Sequence, residues 1–307
     1  MNWRKLGVVW MPTGSDTWAK SHAMGPTPFQ LNEEVIRVFL TTLDEDGKGR
    51  PTYVDISAQN PTHILRVSPK PLMDIGESGT FDDNGLMPTS IVQPENGILF
   101  MYYAGFELCE KIRYRIFTGL AISSDGGNTF YRNSRVPILD RSDTELFFRG
   151  GPFVIIDEGV FKLWYVAGSQ WTKINSKLMP VYDLRYQESS DGIHWAEKGT
   201  LSMAITGDDE HGFGRPWVLK RGPQDYQLFY SIRRRSFSAY RLGYAESQDG
   251  IRWIRKDSEI GLDVTLGAFD SDAIMYSAVI DIGSKTYCFY NGNNFGESGF
   301  GVAELID

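Results

Sequence analysis

Charged side chains recur at one place in the pattern of this 307-residue chain, just ahead of apolar, strand-like runs. They are His22; Asp82 with Asp83; Glu145 with Arg149; the stretch 208–211, ending in Glu210 and His211, with Arg215; and Asp270 with Asp272. Several acids directed into one funnel repel each other. That raises some of their pKa values and suits them to general acid and base work. Asp also opens strands simply because it makes turns, but five such places favour a shared site. Asp83 and Asp272 are then candidates for base and orienting acid, and Glu210 for proton donor. His22, Asp82, Arg149, His211, Arg215 and Asp270 would bind substrate around them.

A rim is expected where the next strands end, at Tyr102-Tyr103-Ala104-Gly105-Phe106-Glu107, Tyr165-Val166-Ala167-Gly168-Ser169-Gln170-Trp171, Tyr230-Ser231-Ile232-Arg233 and Tyr290-Asn291-Gly292-Asn293-Asn294-Phe295. Aromatic faces and amides stack on and bond to sugars. Tyr102, Tyr165 and Tyr230 are expected in the core, and Trp171, Asn291 and Asn293 on the rim. Of the run Arg233-Arg234-Arg235, two residues are expected to be solvated, and Arg233 joins the site as a ligand for phosphate or a sugar acid.

The elements that must position these groups follow from a repeated phrase. Ser123-Ser124-Asp125-Gly126-Gly127-Asn128-Thr129-Phe130, Ser189-Ser190-Asp191-Gly192-Ile193-His194-Trp195 and Ser247-Gln248-Asp249-Gly250-Ile251-Arg252-Trp253 each follow a strand-like run. Gly tolerates positive φ and Asp bonds to its own backbone, so each phrase predicts a hairpin turn with an aromatic packed behind it. A repeat of roughly 60 residues in a β-rich chain marks a radial array of small sheets. Counting the strand-like runs gives an all-β, five-bladed β-propeller of four-stranded antiparallel blades, a single domain over 1–307. The last blade lacks its outer strand, which residues 6–10 would supply to latch the ring.

Composition narrows the partners. Net charge is −8 with no long basic block, which argues against nucleic acid or an anionic membrane surface. Cys109 and Cys288, the only cysteines, sit in apolar runs and form no disulfide or zinc pattern. No apolar run nears the ~20 residues that span a bilayer, and the first residues lack a signal-peptide core, so a cytoplasmic location is expected. No cofactor is expected. A calcium ion on Asp83, Asp272 and Asn293, or a transition metal at His22, is open to test. Oligomeric state is not legible.

The blade count, the Asp-Gly hairpins and the acids at strand openings resemble the five-bladed propellers of glycoside hydrolase families 43 and 32 and the related mannoside phosphorylases. Ser21-His22-Ala23, Phe81-Asp82-Asp83-Asn84-Gly85-Leu86-Met87-Pro88, Ala268-Phe269-Asp270-Ser271-Asp272 and Tyr290-Asn291-Gly292-Asn293-Asn294-Phe295-Gly296 are similar to propeller proteins of bacterial surface-polysaccharide gene clusters. The resemblance implies an enzyme that cleaves or transfers a glycosidic bond in bacterial glycan metabolism. A non-catalytic glycan-binding propeller and a phosphorylase using Arg149 and Arg215 for phosphate are the alternatives. A structural interaction scaffold is disfavoured by the charged strand openings. The hydrolases use an Asp base, a supporting Asp and a Glu acid; here His22 stands in the first blade and Arg149 in the third. Hydrolysis would need two carboxyls ~5–5.5 Å apart for retention or ~6.5–9.5 Å for inversion. The first hairpin also resembles the Asp-box of sialidases, whose three arginines Arg149, Arg215 and Arg233 would mimic.

Overall fold

A computed structural model describes residues 1–237 and 239–306, and in it the protein is almost wholly β. Strand β1 (Trp3–Trp10) comes first. A first antiparallel meander follows: β2 (Ser21–Gln30), β3 (Val35–Leu43), β4 (Gly49–Ser57) and β5 (Ile64–Val67). A second comprises β6 (Leu86–Glu95), β7 (Ile98–Leu108), β8 (Tyr114–Ser123) and β9 (Tyr131–Arg132). A third comprises β10 (Phe148–Asp157), β11 (Val160–Ile174), β12 (Lys177–Ser189) and β13 (Thr200–Met203). A fourth comprises β14 (Glu210–Gly222), β15 (Asp225–Arg234), β16 (Tyr240–Ser247) and β17 (Ile254–Arg255). The last is β18 (Met275–Ile282), β19 (Lys285–Asn291) and β20 (Phe300–Leu305), completed by β1, which pairs antiparallel with β20. Short parallel pairings, β8 to β10 and β12 to β14, join the second, third and fourth meanders into one 12-stranded sheet; the other two are separate four-stranded sheets.

The first strand of each meander touches the first strand of the next, and β18 touches β2. All five carry a register shift after their opening residues: between Met24 and Thr27, Pro88 and Ser90, Gly150 and Phe153, Gly214 and Trp217, and Met275 and Ala278. A bulge bends a strand and re-aims one side chain. Gly25 and Gly151 take positive φ at this place (63° and 59°), as glycine readily does.

The Asp-Gly phrases lie between the third and outermost strands, where the Ser and Asp oxygens collect backbone N–H groups. Each turn is also held by the preceding meander. Arg37 donates to the Gly126 carbonyl (2.9 Å), Tyr102 Oη to that of Gly192 (2.8 Å), and Trp164 Nε1 to that of Gly250 (2.7 Å). Trp217 Nε1 makes the corresponding reach to the Val279 carbonyl (2.6 Å). These bonds join neighbouring meanders where few strand pairings do.

A phenol recurs on the second strand of four meanders: Tyr103, Tyr165, Tyr230 and Tyr290, each fully buried. In three the residue paired opposite is glycine: Gly119, Gly243 and Gly301. A Cβ on Gly119 would come within 2.1 Å of the Tyr103 ring, and one on Gly243 within 2.5 Å of Tyr230. Glycine there makes room for the ring. Tyr102, Tyr165 and Tyr230 are core, as expected from the sequence.

β1 also neutralises a buried charge. The Lys5 ammonium donates to Asp270 Oδ2 at 2.5 Å, and the Asp270 carboxylate is fully buried. Lys5→Met should therefore strand a buried anion and cost about 3–5 kcal/mol of unfolding free energy. Adding Asp270→Asn should recover most of that loss. Urea denaturation of both variants measures this, and an unchanged midpoint for Lys5→Met would remove the latch from the account.

Candidate functional site

A cavity of about 720 Å³ opens among the bulged starts of the first strands and the loops around them. Its wall is aromatic at Phe106, Tyr114, Phe148, Tyr240, Tyr276 and Phe295, and sulfur-lined at Met24, Met87 and Met275. The long β11–β12 hairpin adds Ile174, Lys177 and Met179. Among the described residues six cationic side chains line it, Arg113, Lys177, Arg215, Arg233, Arg234 and Arg235, against one carboxylate, Asp272.

Backbone strain concentrates here. Arg215 (φ 29°) and Tyr276 (φ 59°) occupy the bulge position that Gly25 and Gly151 hold in sister meanders. Asn294 (φ 49°) and Phe295 (φ 59°) add two more left-handed residues in the loop after β19. A bulky residue with positive φ costs on the order of 1–3 kcal/mol and persists where surrounding structure enforces it, commonly at ligand sites.

Arg215 is a buried cation without a carboxylate partner among the described residues. Its guanidinium donates to the carbonyls of Pro26 (2.8 Å) and Tyr276 (3.1 Å) and to Thr27 Oγ1 (2.7 Å), while Nε has no acceptor. Burial pushes its pKa down to about 9, so it stays charged at neutral pH. Arg233 lies over the Tyr240 ring, 4.6 Å from its centroid. Tyr182 and Tyr240 share a hydroxyl contact of 3.2 Å beside it. Burial opposes the Arg233 charge, but the oxygens of Tyr182, Tyr240, Tyr114 and Tyr276 outweigh it and hold its pKa above the ordinary arginine value. Desolvation pushes the Tyr182 and Tyr276 phenols up, so they remain protonated.

His211 is neutral at neutral pH. Desolvation lowers its pKa and the cations Arg233 and Arg235 add to that, against the Pro180 bond. Its Nδ1 faces the Pro180 carbonyl at 3.0 Å. A carbonyl only accepts, so Nδ1 carries the proton and Nε2 keeps its lone pair.

The residues expected from sequence divide. Asp272, His211, Arg215, Arg233 and Asn293 line the cavity; Asp83, Glu210, His22, Asp82, Arg149, Trp171, Asp270 and Asn291 do not. Asp83 accepts from the Gly79 N–H at 2.8 Å and shapes its own loop. Asp82 pairs with Arg132 (2.7 Å) and takes the Tyr103 hydroxyl. Glu210 pairs with Arg255 (2.6 Å) and accepts from Thr206. Asp270 pairs with Lys5. Arg149 pairs with Glu145 (2.6 Å) and donates to the carbonyls of Asp140 and Ala196, so it forms neither a phosphate pocket with Arg215 nor a three-arginine cluster. His22 bonds Ser21, and burial lowers its pKa. Trp171 packs against Phe148 and Tyr114 behind the cavity wall.

Two expectations need correction. Asn291 is not a rim residue: it is fully buried, accepts from the Gly25 N–H (2.7 Å) and donates to the Ala23 carbonyl (2.7 Å), tying β19 to β2. Arg234 and Arg235 both stand on the cavity wall beside Arg233; Arg235 is exposed, as expected, but Arg234 is half-buried. Asn293 reaches the cavity, but its Oδ1 accepts from the N–H groups of Asp272 and Ala273 instead of facing a cation. Among the described residues no group of three His, Cys, Asp or Glu side chains is placed to hold a metal. The cavity tyrosines and the bulge position of Arg215 and Tyr276 were missed, whereas Phe295 lies in the last rim stretch read from the sequence. The signal was present: Gly25-Pro26, Gly151-Pro152 and Arg215-Pro216 occupy matching places.

No protein-family profile matches this sequence. An uncharacterized protein of Mycobacterium tuberculosis is 30% identical over 305 residues, covering 99% of both proteins. The chain therefore belongs to that protein's family. Among solved structures it is similar to a glycoside hydrolase (TM-score 0.74, 19% identity, 98% of this protein and 90% of the other). It is also similar to a thermostable family-43 glycoside hydrolase (0.67, 16%, 92% and 88%). A third is a structure from the GH130 family of mannoside phosphorylases, which contains glycoside hydrolases that target beta-1,2 mannosidic linkages in Candida mannan (0.66, 13%, 98% and 94%). The fold is therefore shared with these glycoside hydrolase structures. No helix among the described residues is long and apolar enough to cross a membrane.

The division of the acids predicts opposite phenotypes. Desolvation raises the Glu210 pKa, but the Arg255 and Thr206 bonds outweigh it and the net shift is downward. A depressed carboxylate stabilises above its unfolded pKa, and the effect is lost as pH falls through the folded value. Glu210→Gln should cost about 2 kcal/mol at neutral pH and lose less stability than wild type as acid is added. Asp272→Asn, at an exposed side chain, should leave the melting temperature unchanged. Thermal melts across the acid range check both; a neutral Glu210→Gln would return that residue to the catalytic candidates.

Proposed function

We propose that the protein is one five-bladed β-propeller whose meanders are blades of a closed ring, and that its central cavity binds a saccharide. The succession of first-strand contacts, returning from β18 to β2, supports the ring. The aromatic wall carries the ligand reading: Phe106, Tyr114, Tyr240 and Phe295 offer faces for the C–H surface of a pyranose, with histidine and arginine donors between them. The fold shared with glycoside hydrolases and mannoside phosphorylases is in keeping with a carbohydrate-active protein. The setting we propose is bacterial glycan metabolism, surface polysaccharide in particular.

Recognition is the primary activity in this reading, because hydrolysis by two carboxyls asks for a pair across the scissile bond and, among the described residues, the cavity wall carries one carboxylate, Asp272. An enzymatic second reading rests on His211. A neutral imidazole with Nε2 unprotonated is a competent base, and Asp272 is the acid that shares the same wall among the described residues.

Calorimetric titration of a glycan panel, with reducing-end release followed on the same samples, tests both. Micromolar to millimolar binding without release is expected. Phe295→Ala should weaken it about tenfold through loss of one stacking face. Absence of binding by every glycan overturns the proposal. Release that disappears in Asp272→Asn and in His211→Ala would favour the enzyme.

A further inference from the structure

The cations on the cavity wall specify the charge of the saccharide. We infer that the ligand carries an anionic substituent, a carboxylate or phosphate, seated against Arg233 and the Tyr182–Tyr240 hydroxyl pair with Arg215 behind it. This rests on the saccharide reading above and narrows its substrate class.

Three observations carry the inference. First, the protein is acidic overall, at −8, yet among the described residues six cations and one carboxylate line this cavity. A cleft of one sign with low-dielectric walls focuses its field on a ligand of the opposite sign. Second, the charges that matter are not neutralised by the protein. Elsewhere, buried or half-buried bases meet carboxylates: Arg37 with Asp55, Arg132 with Asp82, Arg149 with Glu145, Arg255 with Glu210. Arg215 and Arg233 have no such partner among the described residues, and each leaves a buried nitrogen without an acceptor, Nε of Arg215 and Nη1 of Arg233. A half-satisfied buried cation is costly, and an anion in the cavity offsets its charge. Third, the surroundings orient an anion without competing for it. The Tyr240 ring fixes the Arg233 plane by stacking, and phenol hydroxyls, unlike carboxylates, can turn a proton towards the ligand. Arg215 holds this place in a strained conformation where sister strands use glycine.

The test uses the whole protein. Acidic polysaccharides are titrated beside their carboxyl-reduced forms, glucuronate and galacturonate beside glucose and galactose, and a hexose monophosphate beside inorganic phosphate. The acidic member of a pair should bind at least about tenfold tighter, the worth of a charge-assisted hydrogen bond. Raising salt from about 50 mM to about 0.5 M should erode that preference. Arg233→Met should abolish the preference, bringing the acidic member of each pair down to the affinity of its neutral partner. Arg233→Lys, which keeps the charge but loses the planar fork, should restore part of it, and the salt series tests wild type without any variant. A uronate preference names the carboxylate and a hexose phosphate preference the phosphoryl group; either supports the inference. Equal binding of neutral and acidic members overturns it and leaves the saccharide reading intact. Inorganic phosphate binding as tightly as the hexose phosphate overturns it in favour of a free-phosphate site. No binding by any saccharide, neutral or acidic, brings down both readings.

Discussion

A carboxylate can be buried ahead of a β-strand only if a cation and a donor meet it there, and this requirement organises successive meanders. Asp82 meets Arg132 and the Tyr103 hydroxyl; Glu145 meets Arg149 and the Tyr165 hydroxyl. Glu210 and Asp257 share Arg255, and Tyr230 donates to Asp257. Asp270 meets Lys5, with Tyr290 alongside, its phenol pushed up by burial and by the Asp270 charge. Arg132, Arg255 and Lys5 come from outermost strands, while the tyrosines come from second strands. Those three clasps cross a whole meander from opening to outer edge, whereas Glu145 and Arg149 pair locally at the opening of the third. The glycine opposite Tyr103 or Tyr230 is part of the same device, because it clears the path of the ring.

That device explains how far chemistry was legible in the sequence. The charged openings were visible as a repeated feature, and the repetition was physical, but it marked clasps as well as a site. Sequence gives residue type and spacing; it does not give the partner that neutralises a carboxylate from across a sheet. Arg132 is 50 residues from Asp82 and Lys5 is 265 from Asp270. The Asp-Gly hairpins were legible because their bonds are local, and the role of β1 because the last meander was visibly one strand short. Asn291 misled for the opposite reason: an amide after a strand suits a rim, and nothing local reveals that Ala23 and Gly25 close over it.

The cavity follows a different rule. Its residues stand at the bulges, where one extra residue per strand turns a side chain towards the centre. Glycine meets the backbone requirement in two meanders, and in two others Arg215 and Tyr276 meet it under strain. Natural sequences break local rules mainly at functional sites. The strained loop carrying Asn294 and Phe295 then sets an aromatic edge against Tyr240 and Tyr276, each with ring centroids 6.2 Å apart. Local conflict and cavity wall thus coincide, although the bulge register depends on strand pairing and is invisible in a single strand.

The two rules together decide what the site offers a ligand. If the cavity cations had been clasped like those at the strand openings, their charge would have been cancelled by protein carboxylates, and the wall would recognise a sugar by shape and hydroxyls alone. Instead Arg215 is held by backbone carbonyls and a threonine, and Arg233 by ring faces and phenols. These partners fix position without removing charge. A neutral partner set is the cheaper way to orient a cation whose counter-ion arrives from solution, since no internal ion pair has to be broken when the ligand binds. The same protein therefore uses carboxylates where a cation must be permanent structure and withholds them where a cation must remain available.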